Sequence, residues 1–330
     1  MPKLNLSFAI GDYDRNRAII DGRVLVDGVD PVIMKLSPEE IFFRAMRHAS
    51  FDVCELSLSS FTLRVARGDS PYVGIPVFLS RAFRHASIIV RKDSGIQAPP
   101  DLAGKRVGTP EWQLTANVWT RAFLQDDFNV QPQDIHWLRG GLEEPGRVEK
   151  LKTHLPAGVT MEDIPSDRTL DQMLDSGEID AYIGPRAPRC FTTDNPRLRW
   201  LFEDPTQAAL DYYRRTKIFP IMHLLGVRRT LAETHPWLPV ALQKAFNQSK
   251  ALALEALADT SATKATLPFV EEQLRLAQAQ MGMDFWTYGA HENRHVLDYF
   301  LKHHHAQGIS SRLVDAKELF HPATLERYRI

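Results

Sequence analysis

The residue types best suited to acid–base or anion chemistry fall at a few separate places in the chain. Arg81, Arg84 and His85 lie close together in the donor-dense segment Ser80-Arg81-Ala82-Phe83-Arg84-His85. Guanidinium groups offer forked, bidentate donors to a carboxylate, and an imidazolium adds charge. The competing reading is a solvated surface turn, where arginine is usually found. Arg186, flanked by Gly184, Pro185 and Pro188, has the same affinity for a carboxylate, with interlobe ion pairing as its alternative role. Glu111 reads either as a first-turn carboxylate that complements a helix dipole or as a proton carrier. His223 stands in the apolar stretch Phe219-Pro220-Ile221-Met222, a setting typical of a core histidine with one satisfied hydrogen bond. His291-Glu292-Asn293-Arg294-His295 matches the HExxH zinc-hydrolase pattern, in which two imidazoles share a helix face and the Glu activates water. That pattern needs a third ligand from His303, His304 or His305, and Gly289 makes the required helix begin late. The three later histidines fit a solvated helix end equally well.

The elements that must position these groups follow from periodicity. Residues 4–10 alternate and break at Gly11-Asp12-Tyr13-Asp14, so a strand delivers a polar loop containing Asp12 at its C-terminal end, where open α/β sheets bind ligands. A strand within 24–36 leads to Ser37-Pro38-Glu39-Glu40, a helix start with Pro in the first turn, and the helix runs to about His48. The next strand, 51–56, is followed at once by Ser57-Leu58-Ser59-Ser60, which sets the hydroxyls of Ser57, Ser59 and Ser60 where a helix begins. Further strands are expected over 72–79 and 87–90. The segment 93–100 reads as a hinge, and a new strand ends at Gly108 before Thr109, Trp112 and Thr115, which open a long helix. A helix over 170–174, a strand over 179–183, a strand over 218–227 and a largely helical remainder complete the pattern. Residues 140–167 yield no clear element.

Length and composition agree with this α/β alternation. At 330 residues the chain exceeds what one hydrophobic core usually supports, so two lobes are expected. The boundaries fall at 1–92 with 219–330 for lobe I and 93–218 for lobe II, with two interlobe crossings and a ligand cleft between the lobes. Lys plus Arg number 40 against 41 Asp plus Glu, a formal charge of −1, which points away from nucleic acid and anionic membrane as partners. Cys54 and Cys190 provide neither a disulfide framework nor a CxxC pair. No window reaches the roughly 18 apolar residues of a membrane span. The first residues enter a strand pattern without a signal-peptide core, so a cytoplasmic location is expected.

Several of these segments together resemble one family, the 4,5-dihydroxyphthalate decarboxylases. They are Ser80-Arg81-Ala82-Phe83-Arg84-His85, Pro110-Glu111-Trp112-Gln113-Leu114-Thr115-Ala116-Asn117-Val118-Trp119, Gly140-Gly141-Leu142-Glu143-Glu144-Pro145-Gly146-Arg147 and Ile218-Phe219-Pro220-Ile221-Met222-His223. Tyr288, Gly289, Asn293 and Arg294 fit the family's Tyr-Gly-x-x-x-Asn-Arg pattern. The resemblance implies a two-lobed periplasmic-binding-protein-like (type II) α/β fold with a helical C-terminal region. It also implies a carboxy-lyase that converts 4,5-dihydroxyphthalate to protocatechuate in phthalate degradation, without an organic cofactor. A divalent metal is allowed but not required, as is a homo-oligomer.

On that reading His223, His85 and Glu111 are the candidate acids. Arg81, Arg84, Arg186, Asp12, Ser57, Ser59, Ser60, Thr109, Trp112 and Thr115 would bind a small aromatic dicarboxylate. The competing classes are a cytoplasmic small-anion binding protein of the same fold without catalysis, and the HExxH zinc hydrolase with His291 and His295 as ligands.

Overall fold

The structure, a computed structural model, describes residues 2–147, 149, 151 and 153–326. In chain order the strands and longer helices are β1 (Leu4–Ile10), α1 (Asp14–Ile20), β2 (Val29–Lys35), α2 (Pro38–His48), β3 (Val53–Ser57), α3 (Leu58–Arg67), β4 (Tyr72–Arg81), β5 (Ile88–Arg91), β6 (Arg106–Thr109) and α4 (Thr115–Phe128). They continue with β7 (His136–Arg139), β8 (Met161–Asp163), α5 (Leu170–Ser176), β9 (Ala181–Ile183), β10 (Leu198–Trp200), α6 (Pro205–Thr216), β11 (Ile221–Arg228), α7 (Arg229–Thr234), α8 (Leu238–Ala258), α9 (Val270–Met281) and α10 (Arg294–Ala306). Among the described residues, no helix is long and apolar enough to cross a membrane.

The chain divides into two compact units. The first holds the residues up to Arg81, Ile221–Asp298 and those from Val314 on; the second holds Ala82–Pro220 and Tyr299–Leu313. These bounds correct the expected ones at both ends. The segment expected to close the first lobe near residue 92 instead forms β5, which pairs antiparallel with β9 and β10 in the second sheet. The chain therefore leaves the first unit after Arg81. Two further crossings bracket Tyr299–Leu313, because Gln307 is tied into the second unit: its carbonyl accepts from Trp112 Nε1, its side-chain oxygen accepts from Arg121 Nε, and its amide donates to the Val118 carbonyl. The stretch 140–167, for which the sequence yields no clear element, contains β8 among the described residues; residues 148, 150 and 152 of it lie outside them.

The first unit is built on a five-stranded sheet in the order β2-β1-β3-β11-β4. β1 runs parallel to β2 and β3, and β11 runs antiparallel to both β3 and β4. The C-terminal ends of β1, β3 and β4 and the start of β11 consequently share one edge. β3 is buried along its whole length, so its residues form a near-continuous run without the alternation of a one-faced strand. α2 starts where its sequence directs: Ser37 Oγ accepts from the Glu40 amide, Pro38 stands in the first turn, and Glu39 and Glu40 complement the dipole. The second unit carries a six-stranded sheet, β10-β5-β9-β6-β7-β8, with α4 buried over most of its length.

The last segment of the first unit is fastened to its sheet at Gly74, which bridges to Phe320 and whose carbonyl accepts from the His321 amide. A Cβ at Gly74 would stand 2.5 Å from the Leu319 carbonyl oxygen and 2.8 Å from Leu224 Cδ1. Gly74→Ala should therefore destabilise the protein by about 1–3 kcal/mol, the usual cost of overpacking a core. Chemical denaturation would show this as a lower midpoint, and an unchanged midpoint would refute the close approach.

Candidate active site

The shared strand edge of the first unit gathers a carboxylate, an imidazole and a phenol around one buried oxygen. Glu55, in the middle of β3, has a side chain that is 0% exposed, and His223 Nδ1 lies 2.6 Å from its Oε1. The Tyr13 hydroxyl donates to the same Oε1 at 3.0 Å, and the Gly11 amide donates to Oε2 at 3.2 Å. Burying a carboxylate is costly unless donors replace its water, and these three do so. An ionised carboxylate can only accept, so the imidazole form that pairs with it is the one with a proton on Nδ1, and Nε2 is on the other side of the ring. The His223 side chain is 18% exposed, enough to meet a small molecule. Phe42 of α2 packs edge-on against the imidazole at 4.7 Å between centroids.

Local structure explains why His223 takes this position. In β11 it stands opposite Ser57 of β3 and Ser80 of β4, and the pairing with β4 shifts register on both sides of it. Such bulges re-aim a side chain and commonly border active sites. The loop holding Tyr13 is equally fixed, because Asn16, fully buried, donates to the Gly11 carbonyl at 3.0 Å. Burial and the neighbouring Glu55 push the Tyr13 hydroxyl well above the ordinary phenol range, so it acts as a donor. Glu55 and Tyr13 were missed by sequence reasoning. The available signal was a lone acid inside the apolar run Val53-Cys54-Glu55-Leu56, a residue type that is almost never fully buried unless paired.

The other expected site residues are dispersed. Ser57 lies beside His223, and Ser59 and Ser60 are buried in the first turn of α3. Asp12 is an exposed surface acid, ion-paired with Arg17 at 2.9 Å and Lys35 at 3.5 Å. Arg81, in the first unit, is buried, stacks over Phe78, and donates to the Thr287 carbonyl at 2.7 Å and to Asn293 Oδ1. It thus fastens β4 to the segment 287–293. Arg84 is half-buried in the second unit, and burial pulls its guanidinium down to about 10. Arg186 is exposed in the bend after β9.

Four further candidates, Thr109, Glu111, Trp112 and Thr115, are buried in the second unit. Glu111 is buried and ion-paired with Arg147 at 2.6 Å, so its carboxylate is held by a fixed cation. Trp112 is fully buried, edge-on to Trp137 and beneath the Arg121 guanidinium at 3.7 Å. Thr109, also buried, accepts from Asn117 Nδ2 at 2.7 Å, and Thr115 begins α4 in the interior. The HExxH reading fails on geometry, because α10 starts at Arg294. His291 precedes the helix in a turn while His295 lies within it, and both are exposed, so the two imidazoles share no helical face. Among the described residues, no group of three or more His, Cys, Asp or Glu is placed to hold a metal ion.

His85 belongs to an aromatic cluster. Its ring stacks on Phe123 at 4.5 Å and contacts Phe202 and Tyr212. Burial pulls it from the ordinary 6.5 down to about 4. An unfolded chain takes up this proton below about 6.5 while the folded one does so only below about 4, so stability is lost as pH falls through that window, by about 3 kcal/mol when complete. His85→Phe should remove that share of the acid sensitivity. Urea midpoints measured from pH 7 to 4 would show a shallower slope for the variant, and identical slopes would rule out a buried neutral imidazole.

No protein-family model matches the chain. A curated 4,5-dihydroxyphthalate decarboxylase from Comamonas testosteroni is 59% identical over 330 residues, covering 100% of both chains. Another, from Pseudomonas putida, is 57% identical over 214 residues, covering 65% of this chain and 83% of its own length. Among solved structures, the alkanesulfonate-binding protein of Xanthomonas axonopodis pv. citri bound to MOPS aligns with a TM-score of 0.54 at 14% identity over 97% of this chain and 99% of that one. The periplasmic aliphatic sulphonate binding protein of Escherichia coli aligns with a TM-score of 0.51 at 14% identity, over 98% and 99%. These structural likenesses show the fold, which is periplasmic-binding-protein-like. With more than half its residues identical along the full length of a curated relative, the chain belongs to the 4,5-dihydroxyphthalate decarboxylase family.

Proposed function

We propose that this chain is a carboxy-lyase that converts 4,5-dihydroxyphthalate to protocatechuate, with His223 as the proton donor and Glu55 as the group that orients it. The observation that carries the assignment is the 2.6 Å contact between His223 Nδ1 and a fully buried carboxylate, which orients the ring and leaves Nε2 to deliver the proton. The full-length relative supplies the substrate.

The chemistry suits one acid. In 4,5-dihydroxyphthalate each carboxylate is para to a hydroxyl, so the phenol oxygen feeds electron density to the carbon that must be protonated. His223 gives its proton to that carbon and a C–H bond forms. The C–C bond to the carboxylate then breaks, CO2 departs, and the electron pair of the broken bond restores the aromatic ring. Water returns a proton to the imidazole. Because the ring supplies its own electrons, the reaction does not call for the electron sink of an organic cofactor, and a divalent metal is compatible with it. Ser57 and Ser80, opposite His223, are hydroxyls suited to the substrate's polar groups. A cytoplasmic place in phthalate degradation, with neither nucleic acid nor membrane as partner, completes the proposal.

The test is turnover in deuterated water. Wild-type protein should release CO2 and place deuterium at the vacated ring carbon. His223→Asn and Glu55→Gln should lose about 10²–10⁴-fold in kcat, the usual contribution of a positioned acid, while His85→Phe keeps its turnover. Circular dichroism must first show each variant folded. Stoichiometric binding of the dicarboxylate without CO2 release would replace the enzyme with a binding protein, and full activity of His223→Asn would move the acid elsewhere.

A further inference from the structure

Behind the Tyr13 hydroxyl lies a stack that the proposed chemistry does not by itself require. The Tyr13 ring is folded back over Gly11, where a Cβ would stand 2.3 Å from Tyr13 Cζ, so only glycine lets the ring lie there. On the Tyr13 ring rests the Arg15 guanidinium, 4.3 Å from the centroid, and Arg15 is also 4.4 Å from the centroid of Trp286. Both outer members are anchored to the backbone of β4: Arg15 Nε donates to the Leu79 carbonyl at 2.6 Å, and Trp286 Nε1 donates to the Phe78 carbonyl at 2.9 Å. The Arg15 side chain is 16% exposed, and its one carboxylate contact is to Asp14 at 3.3 Å, a side chain that is mostly in solvent. The next residue of β4, Ser80, is the partner of His223. The contacts therefore close a ring: β4 holds Arg15 and Trp286, Trp286 lies against Arg15, Arg15 holds Tyr13, Tyr13 holds Glu55, and Glu55 holds His223.

We propose that Arg15 and Trp286 form a positioning stack that keeps Tyr13 on Glu55 and so sets how strongly Glu55 pulls on the proton of His223. Tyr13 and His223 share the same oxygen of Glu55, so each hydrogen bond weakens that oxygen as an acceptor for the other. Loss of the Tyr13 bond makes Glu55 the stronger acceptor and the imidazolium harder to deprotonate. Charged and titratable groups from several elements face this cluster, including Lys250 of α8, which donates to the Trp286 carbonyl at 2.9 Å and pairs with Asp284 at 2.8 Å, the buried Tyr288 near Arg15, and Cys54 beside Glu55. β3 supplies Glu55, the β1–α1 loop supplies Tyr13, and α1 supplies Arg15 with its neighbour Asp14. β4 supplies Arg81, already held by Thr287 and Asn293, and α2 supplies the neutral Phe42. The inference rests on the His223–Glu55 reading of the site.

The experiment follows the His223 imidazole by NMR titration, with its signal assigned by loss in His223→Asn, alongside kcat and KM for 4,5-dihydroxyphthalate. Tyr13→Phe, Arg15→Gln and Trp286→Leu should each move the His223 titration to higher pH and lower kcat by about tenfold or more, with KM nearly constant, as expected for a group that orients another. In the Tyr13→Phe background, adding Arg15→Gln should change neither, because its effect passes through the phenol. A shift with Arg15→Gln but none with the charge-neutral Trp286→Leu would mean a field effect of the cation and overturn the stack. So would additivity in the double variant, or a rise in KM with kcat unchanged, which would make Arg15 a substrate ligand. Wild-type protein that shows the titration coupling but releases no CO2 would sink the decarboxylase reading and leave the positioning stack standing.

Discussion

A carboxylate with no access to solvent is the constraint around which the first unit is arranged. Glu55 lies in a strand buried along its full length, where an ionised group without donors would be prohibitive. Its three donors come from distant parts of the chain: Gly11 and Tyr13 after β1, and His223 in β11, 168 residues from Glu55. The strand order β1-β3-β11 places all three beside it. A different neighbour for β3 would leave the charge unpaired, so the sheet order and the acid–base pair depend on each other. A buried ionic group of this kind is weak evidence for stability, since well-packed apolar residues often do as well or better. Its retention at a strand edge, beside a half-exposed imidazole, is more readily explained by chemistry.

The same constraint reaches outward to residues that never touch Glu55. Gly11 has to lack a side chain so that Tyr13 can fold back, and Asn16 fixes the carbonyl of Gly11. Arg15 covers the phenol, Trp286 lies against Arg15, and both are tied to the backbone of β4. Arg81 ties the end of β4 to the segment 287–293, and the Gly289 amide donates to the Pro76 carbonyl. Tyr288, Gly289, Asn293 and Arg294 thus belong to a segment packed on β4; the HExxH pattern overlaps it by accident of spacing. The bulged pairing at His223 completes the arrangement, since a regular ladder would alternate side chains by strict period and give no local freedom to re-aim the imidazole.

The strands of the first sheet and the first helices were legible in the sequence, because alternation and capping residues are local signals, whereas the apolar run around His223 read locally as the setting of a core histidine and only the family resemblance drew attention to it. The sheet partners were not. Ile88–Arg91 looks like a strand from its own residues, yet its place in the second sheet is decided by β9 and β10, about a hundred residues further on. Arg81 and Arg84 read alike in a donor-rich segment, but the carbonyl and amide that bind Arg81 come from residues 287 and 293. Trp112 and His85 look available for a ligand until their aromatic neighbours are known. Glu55 carried the opposite signal: an acid in an apolar strand had to have a partner, and asking which histidine or tyrosine could serve would have led to the site.

The fold by itself does not separate capture from catalysis, since unrelated activities recur on one scaffold. The sulfonate-binding relatives in structure share the architecture at an identity too low to carry function. Capturing an anion requires donors that hold their protons throughout. A decarboxylase must instead give up a proton to carbon and recover it, which demands a group that can exist in two protonation states within the site. On the proposed reading, an imidazole whose Nδ1 is committed to a buried carboxylate meets that demand, because the carboxylate fixes the ring and leaves Nε2 to exchange the proton. Tyr13, held as a donor by burial and by Glu55, cannot compete for that proton. On the proposed reading, a division of labour between a fixed phenol and an imidazole on one oxygen is what lets a binding-protein fold carry out proton transfer.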